Sequence, residues 1–160
     1  AETVVTEFAR SNRKALAWMP GTASTQVDSW SHALATAAAG AGMSYLELPH
    51  EDDARSLQHA IGSGAAADID AIFGLFRNPR TLIETLTSNG KTVPGDVAVI
   101  AQSEGLLEEV TTPSITSLSL CGFGCGEILA TRAVEMARGE ETELGTAPFE
   151  LTRRESTATA

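Results

Sequence analysis

The sequence predicts an α/β domain of the doubly wound kind, a parallel sheet between two layers of helices in a three-layer α/β/α sandwich. Three observations carry that expectation. Short apolar runs (Ala15–Met19, Ala71–Leu75, Val97–Ala101) alternate with longer segments whose apolar residues recur at helical spacing, the pattern of successive βαβ units. The run Val97–Ala101 is unbroken by polar residues, as in a strand covered on both faces. Gly, Pro and Asn punctuate the changes of period, at Pro20-Gly21, Gly40 and Gly42, Pro49, Gly62-Ser63-Gly64, Asn78-Pro79 and Asn89-Gly90.

Taken in order, a helix is expected over Glu2–Ser11 and a first strand over Ala15–Met19. Pro20-Gly21 ends that strand, and Thr22 or Ser24 can cap a helix reaching about Ala39. Within it Val27, Trp30, Ala33, Leu34 and Ala37 share one face, which should meet the sheet. Ser44–Leu48 is the second strand. Glu51, Asp52 and Asp53 then begin a helix where acids complement the dipole, with Ala54, Leu57, Ala60 and Ile61 inward. The third strand is Ala71–Leu75, followed from Asn78-Pro79 by a helix that buries Leu82, Ile83 and Leu86. Val97–Ala101 and Ile115–Leu120 are the fourth and fifth strands. A helix follows at about Gly124–Arg138, then a last strand near Phe149–Arg153, and the small polar tail Ser156–Ala160 should fray. Five parallel strands joined by right-handed crossovers place a ligand beyond the strand carboxyl ends. The loops there are Pro20–Gln26, Pro49–Asp52, Leu75–Asn78 and Ala101–Gly105.

At 160 residues the chain suits one domain with a single core, and 42% hydrophobic with 20% charged residues is ordinary globular composition. A net charge of −10, with its 11 basic residues scattered, argues against this chain itself gripping DNA. No run approaches the ~20 apolar residues that span a bilayer, and the acidic opening A-E-T-V-V-T-E does not read as a secretory leader. A cytoplasmic location follows as the expectation. Cys121 and Cys125 have no second pair for a zinc site and read as small apolar residues at a strand-to-helix junction.

The last third carries more specific signals. Gly90–Ile100 reads G-x-x-V-P-G-D-V-A-V-I and Thr112–Leu118 reads T-P-S-I-T-S-L. A helix ending at Arg138-Gly139 follows, and Leu151–Thr157 closes on L-T-R-R-E-S-T. In this order they resemble the end of the effector-binding domain of lactose-repressor/galactose-repressor (LacI/GalR) family transcription regulators. There the run is typically G-x-x-V-P-x-D-V-x-V-I-G-F-D, then P-x-L-T-T-V, then a helix and a strand ending R-x-S-T. The likeness extends, more weakly, back to Ala1.

That resemblance implies one lobe of a periplasmic-binding-protein-like fold, the second of two similar lobes with the ligand between them. Residues 122–148 would normally pack in the first lobe, so Leu129, Val134 and Met136 would lose cover; the helix would then re-dock, dimerise or stay mobile. It further implies a ligand-responsive regulator, a repressor acting as a homodimer. Operator DNA would be held by a helix-turn-helix outside this chain.

Its departures bear on the ligand. Gln26 stands where many sugar-responsive members have Arg. The usual acid after the third strand falls on Leu75-Phe76 or Phe76-Arg77, and Ala101-Gln102-Ser103 replaces G-F-D. The candidate ligand-binding residues are thus Gln26, Phe76, Arg77 and Ser103. Gln26 and Ser103 suit neutral hydrogen bonds, and Arg77 suits an anionic group. The effector is a small molecule, a sugar or another metabolite, or else the site is degenerate.

Other motifs carry less. G-F-G-C-G at Gly122–Gly126 has its third Gly one residue early for a dinucleotide fingerprint. His50-Glu51-Asp52-Asp53 lacks the spacing of a calcium loop. His32 and His59 have no ligand partners at metal spacing, and no G-x-S-x-G elbow is present. No metal, cofactor or catalytic residue is expected, and an enzyme would have only Gln26, Arg77, Ser103 and Glu104 to work with. The rival readings are a transporter's solute-binding protein and a lobe kept only for dimerisation.

Overall fold

The computed structural model describes residues 1–21, 25–49, 53–103, 107–120, 122–140 and 149–158, without the side chains of 25–28, 53 and 122–123. Its elements run α1 (Glu2–Arg10), β1 (Ala15–Met19), α2 (Thr25–Gly40), β2 (Ser44–Glu47), α3 (Asp53–Gly62), β3 (Ala71–Gly74), α4 (Pro79–Ser88), β4 (Ala98–Gln102), β5 (Thr116–Ser119), α5 (Gly122–Ala137) and β6 (Glu150–Thr152), with a 3-10 turn at Glu155–Thr157. The sheet order is β2-β1-β3-β4-β5-β6. β1 to β5 pair in parallel and β6 returns antiparallel to β5, with Leu118 opposite Leu151.

Period-two alternation divides the core into two layers. Leu16, Trp18, Ala71, Phe73, Ala98, Ile100 and Leu118 face one way, against Val4, Val5 and Phe8 of α1 and Leu34 and Ala38 of α2. Ala17, Met19, Ile72, Val99 and Ala101 face the other way, against Leu57 and Ala60 of α3 and Leu82, Ile83 and Leu86 of α4. Every residue of β1 is buried, which explains the unbroken apolar run in the sequence. Asp70 fixes the start of β1 by accepting from the Lys14 and Ala15 backbone N–H groups at 2.9 Å each.

Three expectations are corrected. β4 lies one residue later than the apolar run suggests, because Gln102 still pairs with Leu118. On α2 the buried small residue is Ala38, whereas Ala33 is exposed, since the apolar face drifts around an Ala-rich helix that has little to fix it. The tail does not fray at Ser156. That residue is fully buried, and its Oγ accepts from Thr116 N–H at 2.8 Å and donates to the Val99 carbonyl at 2.6 Å. The side chain supplies hydrogen bonds to backbone that would otherwise be buried unpaired. Thr157 adds a 2.7 Å hydroxyl pair with Thr116.

The same closing motif ties the lobe together at two further points. Arg153 makes a two-pronged ion pair with the buried Glu7 of α1, at 2.9 and 2.8 Å. Arg154 donates to the Ile115 carbonyl, the Ser117 hydroxyl and Glu109. α5 is different in kind: none of its described side chains is buried, and Leu129, Val134 and Met136 are 58%, 50% and 65% exposed. An apolar stripe of this sort is unusual on a surface that stays in water.

Candidate functional site

The strand order reverses between β1 and its two neighbours, so the crevice expected of an open α/β sheet lies over the carboxyl ends of β1 and β3. The backbone there is close-packed. Gly21 has φ +69°, and a Cβ on it would lie 3.2 Å from the Leu75 carbonyl, so the loops after β1 and β3 touch. A Cβ on Gly74 would stand 2.7 Å from Met19 and from the Phe76 ring. Glycine at 74 thus lets Phe76 fold back over the strand end, half-buried against the α3/α4 layer.

Phe76, Arg77 and Ser103 come to the same end of the sheet, since β3 and β4 are neighbours with Gly74 opposite Ala101. Arg77 is exposed. Ser103 is half-buried, and its backbone N–H donates to the Leu118 carbonyl. Gln26 falls in the first turn of α2 rather than in the preceding loop, and its side chain lies outside the described residues. Residues 22–24, 50–52 and 104–106, which would complete the candidate loops, lie outside them too, with His50, Glu51, Asp52 and Glu104 among them. Cys125 is half-buried with its thiol directed to the Leu120 carbonyl, while Cys121 lies outside the description.

An aromatic cluster backs this end of the sheet. Trp18 and Phe73 stack at 5.1 Å between centroids, Trp30 of α2 covers both at 6.2 and 5.4 Å, and Phe149 meets Trp30 edge-on at 6.5 Å. Both tryptophans are thus packing residues, as their sequence positions suggest. Beside it, Ser31 of α2 bonds Tyr45 at 3.0 Å and also donates to Glu47, both on β2. Burial is the main reason that the Tyr45 phenol is pushed up to about 12; the Glu47 carboxylate adds to it and the Ser31 hydrogen bond opposes it.

Sequence reasoning names Gln102 only as the middle of Ala101-Gln102-Ser103, without counting it among the candidate contacts. The alternation Ala98, Ile100, Gln102 was legible, yet ending the strand at Ala101 hid it. An open groove of about 1160 Å³ also runs between α1 and α2, lined by Thr6, His32, Thr36 and Phe149 among others. Its walls are largely small residues, and it lies on the outer helical face rather than over the strand ends.

Comparison with known proteins now adds to this geometry. Residues 12–157 match the family model described as a periplasmic binding protein-like domain. No curated protein matches the sequence. Among solved structures, the chain is similar to a LacI family transcriptional regulator from Bifidobacterium animalis subsp. lactis, at 22% identity and a TM-score of 0.84, covering 99% of this chain and 60% of that one. It is similar to a PurR family transcriptional regulator from Vibrio parahaemolyticus, at 18% identity and 0.82, covering 99% and 61%. A LacI family transcriptional regulator from Arthrobacter sp., in complex with lactose, matches at 18% identity and 0.74, covering 98% and 61%. These neighbours are regulators, not enzymes, and the chain spans about three fifths of their length. The chain belongs to the periplasmic binding protein-like domain family, with the fold that LacI-type transcriptional regulators use.

Proposed function

We propose that this chain is the second lobe of the effector-binding domain of a ligand-controlled transcriptional regulator, a repressor by the closest reading of its motifs. The observation that carries the proposal is the fold match over 99% of this chain against 60% of a LacI family regulator. The strand-end crevice with Gln26, Phe76, Arg77 and Ser103 forms one wall of the ligand site, and the other wall comes from a first lobe. The exposed face of α5, with Leu129, Val134 and Met136, supports placing residues 122–148 in that first lobe. On the lobe itself Leu107 and Val110 are 57% and 77% exposed, which supports a homodimer.

The effector acts by binding one arrangement of the lobes better than the other. The effector is a small molecule, a sugar or another metabolite; the Arthrobacter neighbour is a lactose complex. Operator DNA is held by a domain outside this chain, because a lobe with a net charge of −10 repels phosphates. Among the described residues no helix is long and apolar enough to cross a membrane, and a regulator of this kind works in the cytoplasm.

Intact mass and N-terminal sequence of the natural gene product test this reading. A longer product opening with a basic helix-turn-helix is the expected result. A product opening with a secretory leader would shift the assignment to a transporter's solute-binding protein.

A further inference from the structure

Three asparagines occur in the chain, and they differ in the residue that follows: Asn12-Arg13, Asn78-Pro79 and Asn89-Gly90. A backbone nitrogen can close a ring on the side-chain carbonyl of a preceding asparagine. Proline has no N–H to do so, an arginine Cβ crowds the approach, and glycine leaves it open. Asn89 and Gly90 are both exposed, and no atom lies within 4 Å of the place a Cβ on Gly90 would take. In the folded chain, however, both reacting groups are occupied. The Gly90 N–H donates to the Thr87 carbonyl at 2.9 Å and the Lys91 N–H to the Leu86 carbonyl at 3.0 Å, with Gly90 at φ +75°, the left-handed cap that ends many helices. Asn89 Nδ2 turns back along α4 to donate to the Thr85 carbonyl at 2.8 Å. Leu86 is buried, whereas Thr87, Ser88, Asn89 and Gly90 are exposed, so this turn opens before the rest of α4 does.

We propose that Asn89-Gly90 is a deamidation site gated by the end of α4: closed while the cap is formed, and reactive when the last turn opens. The Gly90 nitrogen then attacks Asn89 Cγ. The N–Cγ bond forms, the Cγ–Nδ2 bond breaks, and the Gly90 N–H proton leaves with the amide as ammonia. Solvent water adds to one of the two carbonyls of the resulting five-membered imide and opens it. The product is an aspartate or, with the main chain rerouted through Cγ, an isoaspartate; no electrons are exchanged. The new carboxylate is an acceptor only, so the Thr85 carbonyl keeps just the Ser88 hydroxyl. Its negative charge also sits at a helix C-terminus, where the dipole opposes it, and isoaspartate adds a backbone atom inside the cap. The reaction is therefore one-way: a cap that has opened and reacted does not re-form as before.

The test ages the natural gene product at mildly alkaline pH, folded and in urea, and maps the peptides that span Asn12, Asn78 and Asn89 by mass spectrometry. Isoaspartate is scored by methyltransferase labelling, and backbone hydrogen exchange is followed over residues 86–91. In urea, conversion should concentrate at Asn89, and Asn89→Gln, whose longer side chain closes a ring far less readily, should abolish it. In the folded protein the rate at Asn89 should be about tenfold or more lower, in step with the exchange protection of the Gly90 amide. Once Asn89 has reacted, exchange over 86–91 in the folded protein should be faster by about fivefold. No conversion at Asn89 in urea would overturn the site, and equal rates folded and unfolded would overturn the gate. Unchanged exchange in the aged protein would overturn the loss of the cap.

Discussion

Removing one hydroxyl near the end of the chain should destabilise the whole lobe. Ser156 Oγ is fully buried between β4 and β5, where it accepts from Thr116 N–H and donates to the Val99 carbonyl. Ser156→Ala deletes both bonds and opens too little room for a well-bonded water, so a backbone donor and a backbone acceptor lose their partner together. Each unpaired buried group costs roughly 1–3 kcal/mol, and some relaxation of the 3-10 turn offsets part of that. The expected loss is about 2–4 kcal/mol, large against the roughly 5–15 kcal/mol of a typical domain. At about 2–4 °C per kcal/mol for a chain of this size, the melting point should fall by roughly 5–15 °C. Urea unfolding followed by circular dichroism measures it, with Ser88→Ala as the control, since Ser88 Oγ only donates to the Thr85 carbonyl on an exposed helix end. A loss within about 0.5 kcal/mol, the usual range for a surface change, would refute the argument that the closing motif fastens the sheet.

Trp30→Ala removes the cover over Trp18 and Phe73; the half-buried position brings the expected cost to roughly 3 kcal/mol, read by chemical denaturation. Gly74→Ala places a methyl 2.7 Å from Met19 backbone and side chain, so calorimetry should show a melting point several degrees lower and no better-packed alternative. The chain has a single tyrosine, so its ultraviolet titration reports Tyr45 alone: tyrosinate should appear around pH 12 rather than 10. Because the folded value is the higher one, the protonated phenol favours the fold, and that contribution is lost as pH rises above 10. Glu155 behaves oppositely. The Ser114 backbone N–H and hydroxyl hold its carboxyl below the usual range, so its contribution is present above about pH 4.5 and lost as pH falls through the lowered value. Glu155→Gln should therefore flatten the acid limb of the stability profile.

Element type and order were legible because this fold writes them in local chemistry. β1 is buried along its whole length and reads as a continuous apolar run, and α4 starts on Asn78-Pro79 with its inward face at helical spacing. Boundaries were less legible where burial ends before pairing does, as at Gln102, a polar residue still in the ladder. The tail was misread for a related reason. Ser156 and Thr157 look like solvent residues by type, and only the return of β6 beside β5 brings their hydroxyls to unpaired backbone. Likewise Glu7 sits on the buried face of α1, and nothing local shows that Arg153, 146 positions away, will neutralise it.

The candidate site was legible only as a place. Parallel topology fixes which loops converge, and it brings Phe76, Arg77 and Ser103 to one end of the sheet. It does not fix which atoms are left without partners. That property belongs to packing, as at Gln102, whose Oε1 is buried without a partner although the sequence shows the residue only as part of Ala101-Gln102-Ser103.

The central claim is that this lobe serves a ligand-controlled regulator, and DNA binding by the natural gene product tests it most directly. Fluorescence anisotropy with a palindromic operator fragment from upstream of its own gene, titrated at two salt concentrations with and without neutral sugars, is the measurement. The account predicts tight, salt-dependent binding that one sugar weakens by roughly tenfold or more, as a coupling of 1–3 kcal/mol between sites requires. A product that binds sugar but shows no affinity for DNA at either salt concentration would contradict it.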